Sequence, residues 1–263
     1  MSASIAQQIR RHVLEQSKRA HVGHIGSSLS IAEMLAVLVD GTLDLDRGEG
    51  RVDRDRFVLA KGHAVLGWYC ALHAAGRLSH EGLETFADDG TLLAGHPEHV
   101  MPDVDFSTGS LGQGLSIGTG AALAAKVQGS SRRTFVLLSD AECNEGSVWE
   151  AIMFAAQHGL DGLTALVDLN GQQALDYTKD VLHLSPMVDR WAAFDWDAVE
   201  VDGHDCNAIR AAIEAPRMGK PRVLVARTTF GKGVDYMESK IEWHYLPMDD
   251  DQFADAMAQV AAA

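Results

Sequence analysis

The sequence predicts an α/β chain built on a doubly wound, mainly parallel sheet with helices on both faces. Three features carry that expectation. The runs "TFVLLS", "TALVDL" and "RVLVAR" are short and nearly continuously apolar rather than alternating, as strands covered on both faces are. Helical segments separate the strands, so each connection is long enough to cross over and return parallel. Polar residues gather where the runs end, and open parallel sheets bind ligands outside the carboxyl ends of their strands.

Taken in order, residues 3–20 read as an amphipathic helix. Residues 30–40 read as a second, in which "IAEMLAVLVD" is apolar almost all round and therefore buried. "RFVLA" is a short strand, followed at once by "KGHAVLGWYCALHAAG", a helix that Gly76 ends. "GLSIGTGAALAAKVQG" is a helix of small residues closed by Gly129. Strand 134–139, helix 145–158 and strand 164–169 follow. A long loop leads to strand 198–201, helix 205–214, strand 222–227 and an acidic helix near 249–262. No repeat, low-complexity tract or linker interrupts the chain, so residues 1–263 are expected to form a single domain.

Composition narrows the function classes. Lys and Arg number 22 against 37 Asp and Glu, a net charge of 22 − 37 = −15, which disfavours nucleic acid or an anionic membrane as partner. Hydrophobic residues make up 46% and charged residues 22%, ordinary for a globular protein. No segment approaches twenty apolar residues, and "MSASIAQQIRRHVLEQ" is amphipathic rather than a signal peptide. Cys70, Cys143 and Cys206 show no metal-ligand spacing, which points to a reducing, cytoplasmic home.

Asp140 ends one strand and Asn170 the next, "KGH" (61–63) follows a third and "RTTFGKG" a fourth. One carboxylate and one amide oxygen make a weak site for a hard cation. Mg²⁺ takes about six oxygens and usually binds through one or two carboxylates plus phosphate oxygens. The pair makes chemical sense if a diphosphate completes the shell, although capping or terminating strands would account for either residue alone. Among the histidines, His24, His63, His96 and His244 sit beside glycine, proline or tryptophan in non-periodic stretches. His12, His73, His80, His158 and His183 carry no such signal and are expected to be structural or superficial. Ser147-x-x-Glu150 has the form of a capping box, Cys143 has no basic neighbour, and Glu142 is expected to be structural.

"HVGHIGSSLS", "LAKGHAVLGWY", "LAGHPE", "STGSLGQGLSIGTGAA", the Asp140 and Asn170 strand ends and "KIEWHYLP" occur in that order. Together they make the chain resemble the N-terminal, diphosphate-binding portion of transketolase, a thiamine diphosphate enzyme. The resemblance implies the fold of a thiamine diphosphate-binding, diphosphate-side domain. It implies Asp140 and Asn170 as side-chain ligands of Mg²⁺ (or Ca²⁺ or Mn²⁺), with the backbone carbonyl of Gln172 as a third. It places His63 and His244 on the diphosphate, Gly109, Ser110 and Leu111 against the cofactor rings, and Ala141 beside the phosphates. His24 and His96, with His244, would face the reacting carbons of a ketose donor, and Glu145 and Glu150 would lie near a subunit interface. Histidines with ordinary pKa values suit the proton transfers that moving a two-carbon ketol unit from a ketose to an aldose-like acceptor requires.

Two departures stand out. The glycines that flank the family's metal-binding aspartate are here Ser139 and Ala141. Alanine is strained there only if its φ is positive, at a cost of about 1 kcal/mol, which weakens binding roughly fivefold to tenfold. Second, the pyrimidine-binding and C-terminal domains have no counterpart, and no glutamate here matches the one that activates the cofactor. A second subunit is therefore expected to carry those domains in a heterotetramer. A decarboxylating deoxyxylulose phosphate synthase-like enzyme and a non-catalytic scaffold are the alternatives; "GHPE" and the donor-side histidines favour ketol transfer over the first.

Overall fold

The structure is a computed structural model describing residues 1–262. Its first element, α1 (Ser2–Ala20), buries Ile9, Val13 and Leu14 on one face and ends on His21 in the left-handed conformation. The predicted helix over 30–40 is broken into pieces. α2 (Ile25–Leu29) and α3 (Ala32–Val37) meet at a bend, and a π turn over Leu38–Thr42 ends on Gly41 at φ 85°. Residues 31–38 are all buried; seven are apolar, and Glu33 is buried in an ion pair with Arg10 at 2.6 Å. β1 (Arg56–Leu59) leads through a 3-10 turn at Gly62–Ala64 into α4 (Val65–Ala74), and Gly76 at φ 72° follows its end. A short α5 (His80–Leu83) and a long irregular stretch precede α6 (Gly114–Val127).

The remaining elements are β2 (Thr134–Ser139), α7 (Gly146–Gln157), β3 (Leu163–Leu169), α8 (Thr178–Val181), α9 (Met187–Ala193), β4 (Asp197–Asp202), α10 (Cys206–Glu214), β5 (Arg222–Arg227) and α11 (Asp250–Ala262). All five expected strands form one parallel sheet in the order β1-β2-β3-β5-β4. The long loop expected before β4 instead holds α8 and α9. Helices of 4 and 7 residues are too short to display a reliable periodicity.

Successive residues of each strand feed two cores, one on each face. Phe57, Phe135, Leu137, Leu166 and Leu224 pack under α1, α3, α4 and α10. Val58, Val136, Leu138, Val167 and Val225 pack under α6, α7 and α9. The connection from β4 to β5 runs back along the sheet, and right-handed crossing then demands that α10 lie on the face opposite α7 and α9. The small residues of α6 serve close packing: a Cβ on Gly114 would lie 2.3 Å from Ala60 Cβ, and one on Gly118 2.2 Å from Val136. Among the described residues no helix is long and apolar enough to cross a membrane. Cys70, Cys143 and Cys206 are free thiols, and burial pushes Cys143 well above its ordinary pKa, in keeping with an inert side chain.

Candidate functional site

At the carboxyl edge of β1, β2, β3 and β5, turns from distant parts of the chain enclose a cavity of about 330 Å³. His24, His63, His96 and His244 line it, each from a different loop or short turn. His24, His63 and His244 form a near-equilateral triangle, with ring centres 5.3, 5.4 and 5.5 Å apart. His24 sits in the left-handed region at φ 60°, and its N–H donates to the His244 carbonyl at 3.1 Å. That pairing needs Gly23, because a Cβ there would fall 2.2 Å from the Tyr245 carbonyl oxygen. His63 Nε2 bonds Ser27 Oγ at 2.8 Å, and the Phe230 ring stacks on His244 at 5.9 Å.

Burial depresses all three rings of the triangle. His24 is lowered by burial and by His96, and His63 is held well below its ordinary value by burial and the Lys61 charge. His244 is lowered to about 4 by burial, His24 and Lys61. At neutral pH each ring is therefore uncharged and offers one donor and one acceptor.

Gly109, Leu111, Ala141, Glu145, Asn170 and Gln172 line the same cavity. Ser110 does not; it borders a shallow neighbouring depression with Thr108 and Gln113. Asp140 faces an adjoining cavity of about 440 Å³ that shares Asn144 and Asn170 with the first. The loop after β3 is tied to Asp140 by the Gly171 N–H, which donates to Asp140 Oδ2 at 3.0 Å. Asp140 Oδ1 accepts from the Ala141 N–H at 2.9 Å, so that N–H, expected beside a phosphate, is turned toward the carboxylate. Burial and the neighbouring Asp168 carboxylate raise Asp140 to about 7.

Neither Ser139 nor Ala141 has a positive φ; Ala141 opens a 3-10 turn over Ala141–Asn144. Glu142 is structural, as expected: its buried carboxylate accepts from Ser139 N at 2.9 Å and Gly112 N at 3.0 Å, pinning the 109–113 loop to the strand end. The capping-box reading fails. α7 is preceded by Glu145 without a side-chain cap, and Ser147 Oγ donates to the Gly112 carbonyl instead. Glu145 and Glu150 are both exposed.

The donor set suits a hard cation together with an anionic ligand. Asp140 and Asn170 contribute oxygens, and among the described residues no group of three or more His, Cys, Asp or Glu could hold a metal alone. Among the described residues, buried Gln172 Oε1 and Nε2 and His244 Nδ1 have no hydrogen-bond partner. Unpaired buried polar atoms in a cavity wall are groups that a polar ligand would satisfy. Reasoning from sequence overlooks Lys61 and Asp168, which form a fully buried ion pair at 2.6 Å beneath the site. A signal for them exists, since a charge inside an apolar strand has to be paired. Ser27, Phe230 and Tyr245 are missed as well. They stand inside or beside the quoted motifs, but nothing local distinguishes them.

The sequence matches the family described as "Transketolase, thiamine diphosphate binding domain" over residues 1–261. It is 38% identical to one of the apulose-4-phosphate transketolase subunits of Phocaeicola vulgatus over 96% of this chain and 91% of that one. It is 37% identical to the 6-deoxy-6-sulfo-D-fructose transketolase subunit SqwG of a Clostridium species, over 96% and 93%. The structure superposes on transketolase from Leishmania mexicana with a TM-score of 0.89 at 29% identity, covering 99% of this chain and 41% of that one. The chain thus spans nearly all of the subunit relatives but only about two fifths of the solved transketolase. It belongs to the transketolase family and corresponds to that family's thiamine diphosphate-binding domain.

Proposed function

We propose that this chain is the thiamine diphosphate- and Mg²⁺-binding subunit of a split, cytoplasmic transketolase. It would work with a second chain that carries the pyrimidine-binding and C-terminal domains, in a heterotetramer. The complex moves a two-carbon ketol unit from a ketose donor to an aldehyde acceptor. The observation that carries this reading is the convergence of four histidines and the unpaired atoms of Gln172 and His244 on one cavity at the carboxyl edge of the sheet. The relatives named as transketolase subunits, matched nearly end to end, support the division into two chains.

Asp140, Asn170 and the Gln172 carbonyl would hold Mg²⁺, or Ca²⁺ or Mn²⁺ in its place. His63 and His244, uncharged at neutral pH, would donate to diphosphate oxygens. Gly109 and Leu111 would lie along the cofactor rings, and Ala141 beside the phosphates. Bound thiamine diphosphate supplies the cleavage of a carbon–carbon bond next to a ketone. His24 and His96, with His244, would orient the donor hydroxyls and accept or return a hydroxyl proton. Exposed Glu145 would meet a neighbouring subunit. The scaffold reading loses its main support, because Ala141 has no positive φ to strain it.

Calorimetric titration of thiamine diphosphate with Mg²⁺ into the chain, alone and mixed with its partner, tests the proposal. Metal-dependent binding in the mixture is expected. An assembled complex that binds nothing would sink it, and carbon dioxide released from pyruvate would favour the decarboxylating alternative.

A further inference from the structure

Asp168 lies inside β3 with its side chain wholly buried, and it takes part in neither the cavity wall nor the ligand set described above. Its Oδ2 accepts from Lys61 Nζ at 2.6 Å, from Ser30 Oγ at 2.8 Å and from Asn170 Nδ2 at 2.8 Å; Thr228 Oγ1 donates to its Oδ1. We propose that Asp168 is a positioning residue that fixes which end of the Asn170 amide faces the cation. The inference rests on the reading that Asp140 and Asn170 hold a divalent cation.

An asparagine amide has an oxygen that can ligate a hard cation and an NH₂ group that cannot. Half a turn of the terminal torsion exchanges the two. An ionised carboxylate only accepts, so an amide beside it must present its nitrogen. The 2.8 Å bond from Asn170 Nδ2 to Asp168 does this. The amide oxygen is left on the far side, where it accepts the Gln172 N–H at 2.9 Å and keeps a second lone pair for a metal. Both ends of the amide are thus assigned by their partners.

Lys61 makes the arrangement tenable. A carboxylate in the middle of a parallel sheet is strongly disfavoured without a partner, and Lys61, itself fully buried, supplies one from the turn after β1. The spacing in "VDLN" completes the device: residues i and i+2 of an extended chain point to the same side, so Asp168 can reach Asn170 directly. An ion pair that served packing alone would leave the cation affinity indifferent to its removal as a unit.

That indifference is what the test addresses. The probe is Mn²⁺ with thiamine diphosphate in the two-chain complex, with the free ion followed by electron paramagnetic resonance and folding by thermal denaturation. Removing the pair together, in Lys61→Met/Asp168→Leu, should raise the Mn²⁺ dissociation constant about tenfold, the usual effect of losing an outer-shell partner. Adding Asn170→Asp should bring it back to within about threefold of wild type, since a carboxylate has no wrong end. Unchanged binding in the double variant, or a loss that Asn170→Asp does not repair, would overturn the proposal. If the double variant does not fold, Asp168→Asn decides, because its amide can meet Asn170 with either end. It should raise the dissociation constant about tenfold, with Asn170→Asp restoring it to within about threefold of wild type; no loss, or a loss not repaired, would again overturn the inference. A wild-type complex that binds no Mn²⁺ would overturn the functional reading as well, and only that outcome would.

Discussion

Two clusters of histidines in this chain look alike by spacing and differ in nearly everything else. His24, His63 and His244 stand 5.3–5.5 Å apart around the cavity. His12, His73 and His80 stand 4.9, 5.6 and 6.2 Å apart where α1, α4 and α5 meet. In the second cluster the rings are tied down: His12 Nδ1 bonds Glu15 at 2.9 Å, His73 Nδ1 bonds the Leu78 carbonyl at 2.8 Å, and His80 pairs with Glu84 at 3.5 Å. In the first, His244 Nδ1 is buried and unpaired among the described residues, and His24 holds a left-handed backbone. A cluster of imidazoles is therefore not a site in itself. A buried nitrogen without a partner among the described residues, backbone held in an uncommon conformation and a place at the carboxyl edge of the sheet set the first apart.

Paired substitutions would break the comparison most directly. In the reconstituted enzyme His24→Ala should lower turnover on the order of a hundredfold to a thousandfold, the range of a lost proton-transfer group. His73→Ala should leave turnover within about twofold and lower stability by about 1 kcal/mol for its lost hydrogen bond. Steady-state rates and thermal denaturation on both variants check this. A large rate loss from His73→Ala with stability intact would erase the distinction.

Next in size is the packing that holds the first cluster. A Cβ on Gly26 would lie 2.2 Å from the Phe230 ring, which stacks on His244. Gly26→Ala is expected to cost about 1–3 kcal/mol through overpacking. It should weaken cofactor binding in parallel, read by chemical denaturation and calorimetry on the same sample.

A pH titration sharpens the comparison from the metal side. Asp140 is raised from 3.8 to about 7, so in the metal-free chain its charge is a burden that grows as pH climbs through that interval. A cation must displace the proton below about pH 7, and Mg²⁺ affinity should fall by about tenfold per pH unit there. Calorimetry at pH 6 and pH 8, in buffers of different ionisation enthalpy, would reveal the released proton; equal affinities at both would refute it. The smallest effect is expected at Ala141. With no positive φ to relieve, Ala141→Gly should change cofactor affinity by less than about twofold, and a tenfold gain would mean that alanine does strain the site.

Much of this is legible in the order of residues alone. Four apolar runs and the mixed segment 198–201 correspond to five parallel strands, and residues 31–38, apolar but for Glu33, are buried throughout. The polar segments "KGH", "SDAECNEG" and "VDLN" fall at the carboxyl edge because strand and helix periods are local and set where each strand must end. Less legible is how those segments meet. Asp140 and Asn170 read as a pair of strand ends; both line the adjoining cavity, but only Asn170 also lines the one that holds the histidines, and Asp140 reaches the loop after β3 through the Gly171 N–H. Adjacency groups Ser110 with Gly109 and Leu111, although consecutive residues in a loop can face different ways.

The sequence by itself determined the succession of the strands and the longer helices along the chain, the burial of the apolar runs and the edge at which chemistry can occur, because these follow from residue type and period over a few positions. Tertiary structure decided that Lys61 would neutralise Asp168 across 107 residues, that Gly23 would let His24 meet His244, and that α8 and α9 would fill an apparent loop. Those outcomes depend on which distant partner supplies a charge, a carbonyl or a space. No window of neighbouring residues contains that information.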